Sequence, residues 1–124
     1  MTQGGTVLLV DDAHLLQEIL CENLHELGYS VLVASRGDEA IRIASEHEGA
    51  IRLLLTDIIM PGMRGTELTA RLAVTHPEIR VVLMTGSGPD AMADPGVLKA
   101  GGAVLEKPFT QEQLAKVLRD VLDR

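Results

Sequence analysis

Acidic residues, a threonine and a lysine stand after apolar runs of this sequence, where the ends of β-strands are expected. They are Asp11 and Asp12 after Thr6–Val10, Asp57 after Ile51–Thr56, Thr85 after Ile79–Met84, and Lys107 two residues after Ala103–Leu105. A carboxylate can act as a nucleophile and take up a phosphoryl group, and a lysine with a hydroxyl donor suits phosphoryl oxygens. These residue types predict phosphoryl transfer, with Asp57 as the candidate nucleophile. Taken alone, Asp57 also fits a turn or a helix cap.

The three acids are expected to bind a divalent cation if they meet in one pocket. Two carboxylates about 5 Å apart repel each other by roughly 3 kcal/mol at an effective dielectric constant of about 20. A cation relieves this repulsion, and a ligand set of hard oxygens without histidine or cysteine favours Mg²⁺ over zinc. The sequence therefore predicts Mg²⁺ as a cofactor.

The apolar runs predict five strands that alternate with about five helices. Such alternation is typical of an α/β fold with a parallel sheet and helices on both faces. In a sheet of this kind the carboxyl ends of the strands share one edge, where ligands bind. The fourth helix, within residues 89–100, is expected to be short or irregular because Pro89, Pro95 and Gly96 interrupt it.

Local signals predict where several helices begin and end. Gly28 is expected to close the first helix, Ser35 with Asp38 to open the second and Gly49 to end it. Thr110 with Gln113 reads as a capping box for the last helix. The first helix is expected to face the core through an apolar stripe formed by Leu16, Ile19, Leu20, Leu24 and Leu27.

The composition limits the class of protein and its partners. The 124 residues suit a single domain over residues 1–124. The net charge of −7 argues against nucleic acid and against an anionic membrane as partners. No signal peptide or membrane-spanning run is visible, so the cytoplasm is the predicted compartment. The single cysteine, Cys21, cannot form an internal disulfide and is predicted to be a core thiol.

The order of these motifs resembles the receiver domain of two-component response regulators, from Val7 to Leu122. The matching residues are Asp11-Asp12, Asp57 with Met60-Pro61-Gly62, Thr85-Gly86 and Lys107-Pro108-Phe109. The resemblance implies a flavodoxin-like, doubly wound sheet with strand order 2-1-3-4-5. The sequence is closest in character to the receivers of hybrid sensor histidine kinases.

The resemblance also implies a role for each site residue. Asp57 would be the phosphoacceptor that attacks a phosphohistidine, while Lys107 and Thr85 would bind the phosphoryl oxygens. Asp12 and Asp57 would bind Mg²⁺ directly, Asp11 mostly through water, and Ile59 through its backbone carbonyl. The partners would be a sensor histidine kinase or phosphotransfer protein and an unknown downstream protein. The domain would be a monomer or weak dimer and would catalyse at most its own phosphorylation and dephosphorylation.

The sequence departs from the family pattern at three places. Val104 stands where many receivers carry an aromatic switch residue, so we expect signalling to depend on Thr85 and the loops. Ile59 cannot orient a hydrolytic water, which predicts slow loss of the phosphoryl group. Ser87, two residues after Thr85, is a polar residue that could compensate. The prolines and glycines between Ser87 and Gly102 make dimerisation through that surface doubtful.

Two alternatives stay open, and two are disfavoured. The chain could be a pseudo-receiver that binds proteins without being phosphorylated. It could be a single-domain regulator or a receiver from a hybrid kinase. A haloacid-dehalogenase-type phosphatase would need a second acid where Ile59 stands. A nucleotide-binding protein would need a glycine-rich loop in place of the residues 11–14.

Overall fold

Five short strands form one parallel sheet in the computed structural model, which describes residues 5–86 and 102–123. The strands are β1 (Thr6–Val10), β2 (Ser30–Ala34), β3 (Leu53–Asp57), β4 (Arg80–Thr85) and β5 (Ala103–Glu106). Their order is β2-β1-β3-β4-β5, so the predicted order is confirmed. All five residues of β3 are buried, as expected of a central strand covered on both faces.

Four helices cover the sheet within the described ranges. They are α1 (His14–Glu26), α2 (Gly37–Glu46), α3 (Gly65–Thr75) and α4 (Gln111–Leu122). The irregular helix predicted within residues 89–100 lies outside the described residues. None of the helices in the described part of the chain is long and apolar enough to cross a membrane.

The helices pack on both faces of the sheet and enclose two apolar cores. Leu20 and Leu24 of α1 share one core with Leu114 and Leu118 of α4. The other core joins residues of α2 and α3, among them Ala40, Ala44, Leu68 and Leu72, to the opposite face of the strands. The doubly wound architecture is therefore confirmed, and it brings the carboxyl ends of all five strands to one edge.

Some local predictions are confirmed, and others are wrong. Gly28 adopts a positive φ of 99° just after α1, and Thr110 and Gln113 form the predicted capping box of α4. Ser35 does not open α2, which begins at Gly37; instead the Ser35 N–H donates to the carboxylate of Glu39 over 2.7 Å. Gly49 does not end α2 either, because the helix already stops at Glu46.

The apolar stripe predicted for α1 is wrong at Ile19. This side chain is 50% exposed, whereas Leu20 and Leu24 are fully buried. Cys21, predicted as a core thiol, is only half-buried. The buried face of α1 runs through residues 17, 20 and 24, so a polar residue, Gln17, takes a place that the apolar pattern did not predict.

Candidate functional site

The carboxyl edge of the sheet brings three carboxylates together. Asp57 is the last residue of β3, and Asp11 and Asp12 follow β1, which pairs with β3. One carboxylate oxygen from each of the three lies within 4.8 Å of the others. The parallel pairing of two adjacent strands is therefore sufficient to assemble the acidic cluster predicted from the sequence.

The two neighbouring acids after β1 have different environments. Asp11 is 0% exposed, and its Oδ1 accepts a hydrogen bond from the Ala13 N–H at 2.8 Å, just before α1 begins. The Asp11 N–H donates to the Ala34 carbonyl at the end of β2, 3.2 Å away. Asp12 is exposed. Asp11 is thus held inside the protein, and Asp12 faces solvent.

Lys107 joins the acids from the far side of the sheet. Its Nζ lies 3.0 Å from Asp11 Oδ2 and 2.9 Å from Asp57 Oδ2, and its side chain is only 17% exposed. Its backbone N–H donates to the Thr85 carbonyl over 2.8 Å. Lys107 directly follows β5, so its side chain must extend across the end of β4 to reach Asp57 at the end of β3. It supplies the positive charge that the two carboxylates need in this partly buried position.

Thr85 and Ile59 also lie at this edge. Thr85 is buried at the end of β4, one residue beyond Met84, the register partner of Asp57. The loop after Asp57 is tied to the sheet because the Ile58 N–H donates to the Met84 carbonyl at 2.9 Å. The Ile59 side chain that follows is exposed. All six residues predicted for the site therefore gather at one edge of the sheet.

Gly65 supports the site in a way that the sequence did not reveal. Its N–H donates to the Ile58 carbonyl over 2.9 Å, which closes the loop after Asp57 where α3 begins. A Cβ at this position would collide with the backbone carbonyl oxygen of Asp57. The glycine is needed here for space, since its φ is not in the positive range. Its proximity to Asp57 depends on the fold of the whole loop.

Burial and charge act in opposite directions on the ionisable groups of the site. Burial raises the pKa of Asp57, Lys107 lowers it, and the negative charges of Asp11 and Asp12 raise it again, so the pKa lies above its ordinary value. Burial alone would lower the pKa of Lys107, but its bonds to Asp57 and Asp11 outweigh burial and raise it. Lys107 is therefore charged at neutral pH, and an ionised Asp57 is less stable here than in water.

Replacing Asp57 with asparagine is expected to raise the free energy of unfolding at pH 7, by on the order of 1 kcal/mol, a common size for one substitution. The pKa of Asp57 is raised above 3.8, so the folded protein holds this proton more tightly than the unfolded chain. The protonated carboxyl group contributes fully to the free energy of unfolding below the ordinary pKa of 3.8. This contribution is lost as the pH rises through the raised pKa of the folded protein. Asparagine cannot titrate and avoids that loss.

Urea unfolding of both proteins at pH values from about 4 to about 8 measures this difference. The advantage of Asp57→Asn should be smallest at the acidic end and grow toward neutral pH. A variant less stable than the wild type at pH 7 would mean that the bond to Lys107 outweighs burial and the repulsion of the other acids.

An apolar groove of about 320 Å³ lies beside the acidic cluster. Leu16, Ile19 and Leu20 of α1 line one side, and Pro108 and Phe109 after β5 line the other, next to Lys107. The exposed Ile19 belongs to this groove, which accounts for an apolar side chain outside the core. A concave apolar groove next to a few polar groups is typical of a binding site.

Comparison with known families identifies the class of protein that this fold and site define. Residues 7–119 match the family model described as the response regulator receiver domain. The chain therefore belongs to the receiver domain family of two-component response regulators. Members of this family bind Mg²⁺ at an acidic pocket and interact with histidine kinases or phosphotransfer proteins.

Curated relatives agree with this family. The sensor kinase CckA of Brucella abortus (strain 2308) is 33% identical over 124 residues, which is 100% of this chain but 13% of that protein. The transcriptional regulatory protein CpxR of Escherichia coli (strain K12) is 32% identical over 118 residues, covering 95% of this chain and 49% of that protein. The chain thus spans about half or less of the length of these relatives.

Solved structures agree on the fold. A response regulator receiver domain protein from Clostridium thermocellum superimposes with a TM-score of 0.87 at 26% identity, over 97% of this chain and 95% of that one. A CheY-like receiver domain protein from Methanospirillum hungatei JF-1 gives 0.85 at 26% identity, over 98% and 95%. Each superposition covers nearly the whole length of both chains.

Proposed function

We propose that this chain, as a single receiver domain over residues 1–124, accepts a phosphoryl group on Asp57 from a phosphohistidine in a two-component phosphorelay. The observation that carries the proposal is the position of the Asp57 carboxylate, 2.9 Å from Lys107 and within 4.8 Å of two further acids. A nucleophile, a cation and a set of hard oxygen ligands are what phosphoryl transfer needs in one place.

The acidic cluster suits Mg²⁺ as the cofactor. Its donors are carboxylate oxygens, which are hard ligands, and histidine and cysteine are absent from the cluster. Asp12 is exposed and Asp57 ends the strand, so we expect these two to bind the ion directly. Asp11 is already bonded to Ala13 and Lys107, which favours contact through water. The Ile59 backbone carbonyl would complete the protein ligands. The ion would neutralise the charge of the acids and of the phosphoryl oxygens.

In the proposed step an oxygen of the Asp57 carboxylate forms a bond to phosphorus. The phosphorus–nitrogen bond of the phosphohistidine breaks, and the imidazole leaves with the electron pair of that bond. Lys107 and the hydroxyl of Thr85 hold the phosphoryl oxygens as their charge redistributes. The product is an aspartyl phosphate of about −2 charge in place of a singly charged carboxylate, so about one negative charge is added at this edge. That charge biases the surrounding loops toward a second conformation.

The groove beside the site suits the phosphodonor. We expect a donor helix to place its apolar residues between α1 and Pro108-Phe109, with its histidine directed toward Asp57. Lys107 supports this, because it both lines the groove and lies 2.9 Å from the Asp57 carboxylate. The donor would be a sensor histidine kinase or a phosphotransfer protein, and the output would be a second protein that recognises the phosphorylated surface.

The decisive experiment is incubation with Mg²⁺ and acetyl phosphate, followed by intact-mass measurement. We expect a gain of one phosphoryl group that is absent in Asp57→Asn and abolished when Mg²⁺ is chelated. No gain from acetyl phosphate, followed by no gain from a phosphohistidine donor, would refute the proposal and favour the phosphorylation-independent binding module. A gain from the phosphohistidine donor alone would support a receiver that accepts only from a protein partner.

A further inference from the structure

Gln17 lies on the buried face of α1, in contact with residues 11–13 between β1 and α1, which we call the acidic loop. Its side-chain amide nitrogen Nε2 lies 2.9 Å from the Asp11 carbonyl and 3.1 Å from the Ala34 carbonyl. The Ser35 hydroxyl lies 3.3 Å from the same nitrogen. The side chain is buried, so these partners replace the water that an amide would otherwise bind.

The contacts require a side chain that donates hydrogen bonds. Carbonyl oxygens can only accept, so the nitrogen and not the oxygen of the amide must face Asp11 and Ala34. The Ala34 carbonyl also accepts from the Asp11 N–H. Gln17 therefore joins the ends of β1 and β2 at the place where the chain turns into the acidic loop.

The carbonyl of Asp11 belongs to the peptide unit that links Asp11 to Asp12. That unit is planar, so a hydrogen bond to its oxygen sets the orientation of the plane. The orientation of the plane in turn sets the position of Asp12 in the loop after β1. The Asp11 carboxylate is held separately by Ala13 and Lys107. Gln17 thus acts on the exposed acid of the pair, which is the one expected to bind the metal directly.

We propose that Gln17 is a positioning residue for Mg²⁺ binding, because its hydrogen bond to the Asp11 carbonyl orients Asp12 toward Asp57. The inference rests on the proposed function, since it concerns the same metal site. Groups that orient metal ligands without touching the metal typically change metal affinity by about 10- to 100-fold when they are removed.

The test is calorimetric titration of the whole chain with Mg²⁺, without phosphodonor, for the wild type, Gln17→Met and Leu24→Val. Methionine keeps the length and buried volume of glutamine but donates no hydrogen bond. Leu24→Val loosens the apolar packing of the same helix further from the acids, so it controls for a general loss of stability. We expect Gln17→Met to bind Mg²⁺ about tenfold more weakly and Leu24→Val to bind it like the wild type. Equal affinity in the wild type and Gln17→Met would overturn the proposal.

A second measurement on the wild type decides the question if Gln17→Met does not fold. In an NMR titration with Mg²⁺, the side-chain amide signals of Gln17 should shift with the same midpoint as the backbone amide of Asp12. The exposed Gln113 amide on α4 should not shift with that midpoint. Gln17 signals that stay unmoved while Asp12 saturates would refute the positioning role alone. A wild type without saturable Mg²⁺ binding would instead refute the proposed metal site, and the role of Gln17 with it.

Discussion

Replacing Lys107 with methionine should slow phosphoryl uptake by at least about 100-fold, the loss seen when one preorganised charge-stabilising donor is removed from an active site. The same variant should bind Mg²⁺ at least as tightly as the wild type. Lys107 Nζ lies 2.9 Å from Asp57 Oδ2, so it competes with a metal ion for that oxygen and repels its charge. Binding of the metal and transfer of the phosphoryl group should therefore change in opposite directions.

Without Mg²⁺, the free energy of unfolding of Lys107→Met should be lower than that of the wild type by about 3 kcal/mol. Breaking a buried ion pair leaves the remaining charges buried without an opposite charge. Here Asp11, which is fully buried, and Asp57 would both lose their cation. Saturating Mg²⁺ should restore part of this loss. Urea unfolding with and without Mg²⁺, beside the time course of phosphorylation by acetyl phosphate, measures all three effects.

Lys116→Met is the matched control for this experiment. Lys116 is exposed on α4 and lies 3.1 Å from Asp120 in an ion pair at the protein surface. Exposed pairs of this kind contribute only about 0.5 kcal/mol, so stability and phosphorylation should change little. A Lys107→Met variant that took up phosphate at the wild-type rate would show that its charge is not needed for transfer.

Replacing Gly65 with alanine should lower the free energy of unfolding by about 3 kcal/mol, at the upper end of the usual cost of overpacking. The added Cβ would collide with the carbonyl oxygen of Asp57, and a backbone atom cannot rotate away as a flexible side chain can. The collision can be relieved only if α3 or the end of β3 moves. Because Asp57 is part of that segment, the folded variant should also phosphorylate slowly.

Gly102→Ala separates these two effects. A Cβ at Gly102 would collide in the same way with a backbone carbonyl oxygen, that of Val81. Val81 lies near the beginning of β4, at the edge of the sheet opposite to the acids. Both variants should be destabilised, but the folded fraction of Gly102→Ala should take up phosphate at the wild-type rate. Equal rates in the two folded variants would contradict the role assigned to Gly65.

The parallel sheet and the residues at its edge were predictable because short apolar runs are a strong local signal. Each run ends in a polar residue, and parallel strands bring such ends to the same edge. The capping box at Thr110 was predictable for a similar reason, since its hydrogen bonds join residues three apart. The predicted cap at Ser35 was wrong because Arg36 is the N-cap and the Ser35 hydroxyl instead lies 3.3 Å from Gln17 Nε2, a contact across 18 residues.

The apolar pattern of α1 was a weaker guide to its buried face. Leucine and isoleucine occupy more of the helix than the sheet can cover, so Ile19 is left in the groove beside the site. Gln17 was missed because a glutamine in a helix usually points into solvent. Its spacing from Leu20 and Leu24 was a usable signal, since the three share one face of the helix.

The sequence by itself determined the class of fold, the family and the residue types that meet at one edge, because these depend on local patterns and on their order along the chain. Only the tertiary structure decided that Asp11 is buried and Asp12 exposed, that Lys107 bonds both Asp11 and Asp57, and that Gly65 lies against the Asp57 carbonyl. These contacts join segments up to 96 residues apart, as between Asp11 and Lys107. Their geometry depends on how the loops leave the strands and on which atoms the packing leaves room for, and no local pattern encodes either.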